Sequence, residues 1–363
     1  MKKLCYFLLF IQSFVFANDL HSFKINGKYG YINQNLNVVI APQYDGAEEF
    51  QGDYAIVINK SKIDPDLKYY SVIDKNNNYV DVNLTQQSKL VRYSQNIFFD
   101  NFNSKYYDIS KRIEVKDLSK YSQPYKKNPK NSFYFARIIY DSDNFTTEYI
   151  DEKMNVITFS KDWLKSYAMV DDMAFVIKKD WKQVVINQKG EEIISYVFDS
   201  GTNASEGLLA VITNKESGYI NNKGEFVFHC KFEPNSHEFF PPGIDYPFSE
   251  GVAAVQTKNG YYTIYDNKGN ILMPESLYTE VQPSSEGVLL YKKADNNKYG
   301  FINKQGKNIF TEEFDYAESF YNHFATIIYK NEDAIIDKEG NVYLVKDLIN
   351  GNKNVYKNVI VKE

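Results

Sequence analysis

One pattern recurs too often along this chain to be chance, and it restricts the fold to a repeat architecture. An aromatic-aliphatic run ends in Asn, Asp or Ser. Two or three polar residues follow, commonly closing on Gly, and then a second β-branched or aromatic run begins. The clearest copies are NKYGFINKQGKNIF (297–310), SGYINNKGEFVF (217–228) and GKYGYINQNLNVVI (27–40). Two strand-forming runs divided by an Asn/Gly turn read as a β-hairpin.

Weaker copies obey the same grammar at 70–80, 148–157, 183–194, 262–272 and 333–345, with a degenerate one at 105–115 (KYYDISKRIEV). The residues opening the turns are Asn33, Asp74, Ser110, Asp151, Asn187, Asn221, Asp266, Asn303 and Asp337, spaced 34 to 45 apart. The chain therefore holds about nine units of about 38 residues. A second element precedes most units: Ser205-Glu206-Gly207, Ser249-Glu250-Gly251 and Ser285-Glu286-Gly287 each lead into an apolar run, and Phe50 and Phe320 stand where Phe248 does. It reads as a tight turn entering a third strand. A third element, an aromatic followed by an acid, recurs at Tyr44-Asp45, Phe198-Asp199, Phe232-Glu233 and Phe314-Asp315. It reads as a strand end whose acid caps the next turn.

Units such as GKYGYINQNLNVVIAPQYDGAEEF and NKYGFINKQGKNIFTEEFDYAESF resemble the WG repeat, also called the KWG or WG β-repeat. The resemblance covers nearly all of the chain beyond its first residues. The family's Trp-Gly pair is replaced here by Tyr29-Gly30 and Tyr299-Gly300, Gly218 keeps the glycine alone, and Trp181 precedes Lys182 rather than Gly. The resemblance implies a β-repeat fold and carries over no shared catalytic residue.

A three-stranded meander of this length cannot bury its apolar face alone, so neighbouring units must pack on one another. The expected class is all-β, a tandem array of about nine antiparallel three-stranded meanders. Nine exceeds the usual four to eight blades of a closed β-propeller. An open, twisted, solenoid-like array accepts any number of units and uneven spacing, so the open form is the favoured expectation and a closed propeller-like ring the alternative. The array is expected over 18–345, with 82–135 a degenerate repeat carrying long loops. Residues 346–363 break the period and are expected to cap the last edge, where charged residues suit an exposed strand.

The first residues carry a different signal. Lys2 and Lys3 precede an apolar run from Leu4 to Phe16, and Val15-Phe16-Ala17 supplies a small-residue cleavage pattern. This reads as a cleaved signal peptide, 1–17. The apolar run is shorter than the roughly 20 residues that span a bilayer, so no membrane span is expected after cleavage and the product is expected in the periplasm or at the cell surface. The formal net charge of −5 becomes more negative once Lys2 and Lys3 are removed, which gives nothing to attract nucleic acid. Cys5 leaves with the leader and Cys230 remains alone, so no internal disulfide is expected. In Phe226, Phe228, Cys230 and Phe232 the alternate positions are apolar, which places the thiol on a buried face.

The sequence carries no recognisable catalytic motif. His21, His229, His237 and His323 show no zinc spacing, and no nucleophile elbow, phosphate loop or dinucleotide fingerprint is present. The pairs Glu48/Glu49, Asp171/Asp172, Glu191/Glu192 and Glu312/Glu313 sit at turn-like positions. No catalytic residue, metal ligand or cofactor is expected. The repeated acids Asp45, Asp199, Glu233 and Asp315 would need to converge to hold calcium. Tyr29, Tyr261 and Tyr299 are the candidate binding-surface residues, aromatics at turns able to stack on a peptide or sugar. The expected function is a non-catalytic scaffold for a protein partner in the cell envelope, with a glycan or peptidoglycan-binding module as the alternative and a hydrolase built across units behind it.

Overall fold

A computed structural model describes residues 20–361 apart from 116–134, 151–155, 195–199 and 232–246 and, singly or in short runs, 65, 81, 93–95, 104, 142–143, 168, 202–203, 214–215, 258 and 277. The expected leader, residues 1–17, lies outside the described residues, as do Asp151, Asp199, Phe232, Glu233 and His237.

The repeat grammar folds as read. The described residues form nine small antiparallel sheets in chain order, over 21–44, 46–74, 90–114, 135–160, 163–186, 200–229, 252–276, 278–303 and 316–358. Each is a meander of three to five strands in which sequence neighbours pair. The first sheet, for example, orders His21–Ile25, Lys28–Ile32 and Val38–Tyr44, with Asn26-Gly27 making a two-residue turn at φ +50° and +78°. The stretch expected to be loop-rich, 82–135, contains a complete four-stranded sheet over 90–114.

The hairpin turns share one hydrogen-bond design. At Asn33, Oδ1 accepts the amides of Asn35 and Asn37, and Leu36 adopts φ +58°. Asp74, Asn187, Asn221, Asp266 and Asn303 repeat both bonds, and the residue three positions on always has positive φ. That position is Asn77, Gly190, Gly224, Gly269 or Gly306, which explains why the sequence closes these turns on Gly. Ser110 is displaced by one from this scheme. The amide of Arg112 (φ +57°) donates to Ile109 O, so Ile109 opens that turn, and the polar work falls to Asp108, which accepts from Ser110 Oγ at 2.6 Å. A strand pattern that carries an apolar residue in the opening position hides the register.

The core lies between sheets. Eight hydrophobic clusters each span one junction of neighbouring sheets. The strand after each Ser-Glu-Gly turn is apolar on both faces for this reason. In the sixth sheet Leu209 and Val211 pack towards the fifth, while Leu208 and Ala210 pack towards the seventh. Period-two side chains on a strand sandwiched between two neighbours leave no solvent face.

The two ends of the array meet. Phe23, Ile32 and Leu36 of the first sheet share a cluster with Phe324, Ile335 and Tyr343 of the ninth. Thr326 Oγ1 donates to Ser22 O (3.3 Å), Asn322 Nδ2 to Leu20 O (3.2 Å) and Tyr321 OH to Phe50 O (2.6 Å). Of the two arrangements the sequence admits, this contact selects the propeller-like ring over the open array, because burying the terminal apolar faces on each other removes two exposed ends.

The C-terminal segment reinforces this closure. A one-turn helix, Val345–Ile349, places Val345 and Leu348 in the cluster that joins the ninth and first sheets. Lys357–Asn358 then pairs along Asn341 and Val342, and Val359 enters the cluster between the eighth and ninth sheets.

Candidate functional site

The Ser-Glu-Gly element is a structural staple. Glu206, Glu250 and Glu286 sit at φ +53° to +55°, each followed by Gly at φ +76° to +85°. A non-glycine residue in this left-handed region carries strain, and the side chains show what offsets it. Glu206 Oε1 and Oε2 accept the amides of Glu250 and Gly251 in the next sheet. Glu250 accepts those of Glu286 (3.0 Å) and Gly287 (2.7 Å), and Glu286 accepts that of His323. Asp171 begins the series by accepting from Gly207 N at 2.7 Å. The serines add a parallel row: Ser205 Oγ donates to Phe248 O, Ser249 Oγ to Ser284 O and Ser285 Oγ to Phe320 O. Each turn therefore clasps the next across five successive sheets. For Glu250, burial is the largest influence and pushes its pKa up. The Ser284 hydroxyl, the Gly287 amide, Lys304 and the Glu286 amide together outweigh it and hold the carboxyl below the usual range.

The aromatic-acid element is also engaged. Asp45 accepts from Lys28 Nζ (2.7 Å) and from the amide of Lys60 (2.8 Å), and Lys28 is the chief reason its pKa is lowered. Asp315 pairs with Lys298 in the equivalent place. Each of these two acids faces a lysine rather than another acid, and no group of three potential metal ligands occurs among the described residues. The glycine of the tyrosine-glycine pair has a packing role. A Cβ on Gly30 would lie 2.5 Å from Ile40 O, and one on Gly218 would lie 2.2 Å from Phe228 O, because the partner strand bulges against it.

Cys230 is buried between the sixth and seventh sheets, and burial pushes its thiol up to about 12. His229 is exposed and stacks on Phe226 with ring centroids 4.5 Å apart. His21 is buried at the closing junction, 3.1 Å from Glu49. Glu49 also accepts the amide and hydroxyl of Ser22, both at 2.9 Å.

The candidate binding tyrosines have distinct surroundings. Tyr29 and Tyr299, each four residues before a turn Asn, are half-buried with a lysine over one ring face, Lys24 and Lys292 respectively, both 5.3 Å from the centroid. Counting back from Asp266 puts Tyr262, rather than Tyr261, in the same place, and Tyr261 contributes its carbonyl to Thr257 N. Sequence reasoning missed Tyr316. It packs edge-on against Tyr299 at 5.8 Å, keeps 39% of its surface exposed and donates its hydroxyl to Glu318. Nothing in the repeat pattern flagged it, since the equivalent position of the second sheet is Gly46. Tyr299 and Tyr316, with Lys292 and Lys298 beside them, make an amphipathic edge where the eighth and ninth sheets adjoin.

Sheets that ring-close through their apolar faces and are stapled turn to turn define a β-repeat protein of propeller-like build. The model of the WG containing repeat matches residues 29–62, 185–215, 218–233 and 299–330, so the chain carries WG repeats. No curated protein matches it. Among solved structures it is similar to that described as the crystal structure of the eukaryotic initiation factor, with a TM-score of 0.55 at 13% identity over 82% of this chain and 86% of that one. A computationally designed protein matches with a TM-score of 0.43 at 12% identity, over 80% and 93% of the two chains. Apo AztD from Citrobacter koseri matches with 0.39 at 9%, over 88% and 91%. At these identities the first likeness bears on the fold alone.

Proposed function

We propose that this chain is an exported, non-catalytic binding scaffold of the cell envelope, and that it presents the Tyr299–Tyr316 edge to a protein partner. The observation that carries this reading is how the repeated polar groups are used. The turn Asn and Asp residues, the Ser-Glu-Gly acids and serines, and Asp45 and Asp315 are engaged in turns, inter-sheet staples and lysine pairs. What the turns and staples leave presented at this edge is a pair of tyrosine rings, each with an apolar body and a polar tip, and tyrosine is a residue enriched at protein interfaces. The leader-like residues 1–17 support export.

The test is affinity capture from the envelope fraction of the native host, using wild type and Tyr299→Ala/Tyr316→Ala side by side. A partner retained by wild type and lost by the double variant, with unchanged thermal unfolding, is the expected result. Residence of the chain in the cytoplasmic fraction, or identical capture by both, overturns the reading.

A further inference from the structure

The Ser-Glu-Gly turns stand together at one end of the ring, because each clasps the next. Tyr321 OH on Phe50 O, and Arg92 Nη2 on Tyr54 O at 2.9 Å, bring the corresponding turns of the second and third sheets to the same end. The strand that leaves each of these turns runs to the opposite end, so the hairpins that close those strands gather there. Their tips fall into two arcs. In the first, eighth and ninth sheets the tips are polar, at Asn26-Gly27, Asn296-Asn297 and Lys330-Asn331. In the second, third and fifth sheets they carry Ile63, Phe102 and Trp181, which are 96%, 51% and 62% exposed.

Trp181 is the telling member. Its φ is +67°, at a hairpin position that other sheets fill with Asn26, Gly27, Gly260, Asn297 or Asn331. A bulky side chain is disfavoured in that left-handed backbone, and an indole so exposed gains little from burial. Neither the turn nor the core therefore accounts for tryptophan here. Single exposed apolar residues are ordinary, but three large ones at the tips of one arc, with a strained tryptophan among them, point to a surface that receives them.

Charge and shape define that surface. The second and fifth hairpins, 60–68 and 178–182, hold six lysines and three aspartates on a chain whose formal net charge is −5. Positive charge still prevails when Glu192, the partner of Lys178, is included. The apolar side chains stand on separate sheets at projecting turns. A lipid interface accepts separate apolar tips at one depth, with tryptophan at the headgroup level and lysines drawn to anionic lipid.

We propose that this arc of hairpin tips docks on an anionic lipid bilayer, with Ile63, Phe102 and Trp181 entering the boundary between headgroups and acyl chains and the neighbouring lysines against the lipid phosphates. The contact is peripheral and needs no spanning segment. It lies on a different arc from Tyr299 and Tyr316, so loss of the protein-partner reading leaves it standing, and the reverse holds too.

The test is sedimentation of the full chain with vesicles of equal parts phosphatidylcholine and phosphatidylglycerol, and with vesicles of phosphatidylcholine alone. Every variant keeps the same N-terminal residues, so any contribution from the apolar run at 4–16 is common to all. Wild type is expected to sediment with the mixed vesicles and much less with the neutral ones. Ile63→Ser/Trp181→Ser and Lys179→Glu/Lys182→Glu should each weaken binding by on the order of tenfold or more, with unchanged thermal unfolding. The chain has two tryptophans, and Trp163 is buried. Vesicles with brominated acyl chains should therefore quench wild-type emission and leave that of Trp181→Phe almost untouched. A wild type that ignores the mixed vesicles overturns the proposal, as does equal binding by either double variant, or equal quenching of wild type and Trp181→Phe. A wild type that ignores vesicles but captures a protein lost by the same variants makes the tips a protein interface and overturns it as well.

Discussion

Replacing Glu250 separates the two energies that meet at a Ser-Glu-Gly turn. Its carboxylate accepts three hydrogen bonds, from the amides of Glu286 and Gly287 and from Ser284 Oγ at 2.7 Å, with Lys304 3.8 Å away. Hydrogen bonds to a charged group contribute about 1.5–3 kcal/mol each when sheltered. Water reaches this half-exposed turn and can rehydrate the donors, so the whole set is worth about 2 kcal/mol. Against that stands a left-handed backbone that costs a non-glycine residue about 1 kcal/mol. Glu250→Ala keeps the strain and loses the bonds, at about 2 kcal/mol. Glu250→Gly loses the bonds and relieves the strain, at about 1 kcal/mol. Thermal unfolding followed by circular dichroism reads both, at no more than about 2–4 °C per kcal/mol for a chain this long. Glu250→Gly as stable as wild type, or more so, would refute the staple, because a carboxylate that bonds nothing makes glycine the better residue here. The pH dependence gives a second reading. A carboxyl whose folded pKa lies below its unfolded value stabilises fully above the unfolded value, and the effect fades as pH falls through the folded one. The gap between wild type and Glu250→Gln should therefore be constant near neutrality and close below about 4.5.

Other outcomes follow from the same contacts. Gly218→Ala drives a Cβ into Phe228 O and should cost about 1–3 kcal/mol or more by thermal melting, whereas Gly207→Ala meets open space and costs only its φ of +76°. Leu348→Ala, which hollows the cluster joining the first and ninth sheets, should cost about 2–5 kcal/mol and speed proteolytic release of the N-terminal residues. An unchanged digestion pattern would argue against ring closure. Cys230 should react with a disulfide reagent only on unfolding, and a fast reaction of the native chain near neutral pH would contradict its burial and its pKa of about 12. Asp74→Ala should lose about 1 kcal/mol and Asp74→Asn much less, since either Oδ1 can take the amides of Asn76 and Asn78.

Much of this fold is local, and local features are legible in a chain. An Asn or Asp able to bond the amides two and four residues on, followed by a residue tolerant of positive φ, specifies a hairpin turn wherever it stands. Seven of the turn openers read from sequence, Asn33 through Asp337, therefore sit in such turns, while Ile109 eluded reading because it has no side-chain acceptor. Apolar runs between the turns fixed the strands and their copy number. Three-dimensional packing decided the rest. Closure depends on the shape of nine stacked sheets and on whether Phe23 reaches Phe324, some 300 residues away, and no local signal encodes that distance. The role of Glu250 required knowing that the next turn stands within 3 Å. Tyr316 beside Tyr299 is a juxtaposition between sheets, and a repeat pattern, which describes each unit by itself, is silent about what adjoining units bring together.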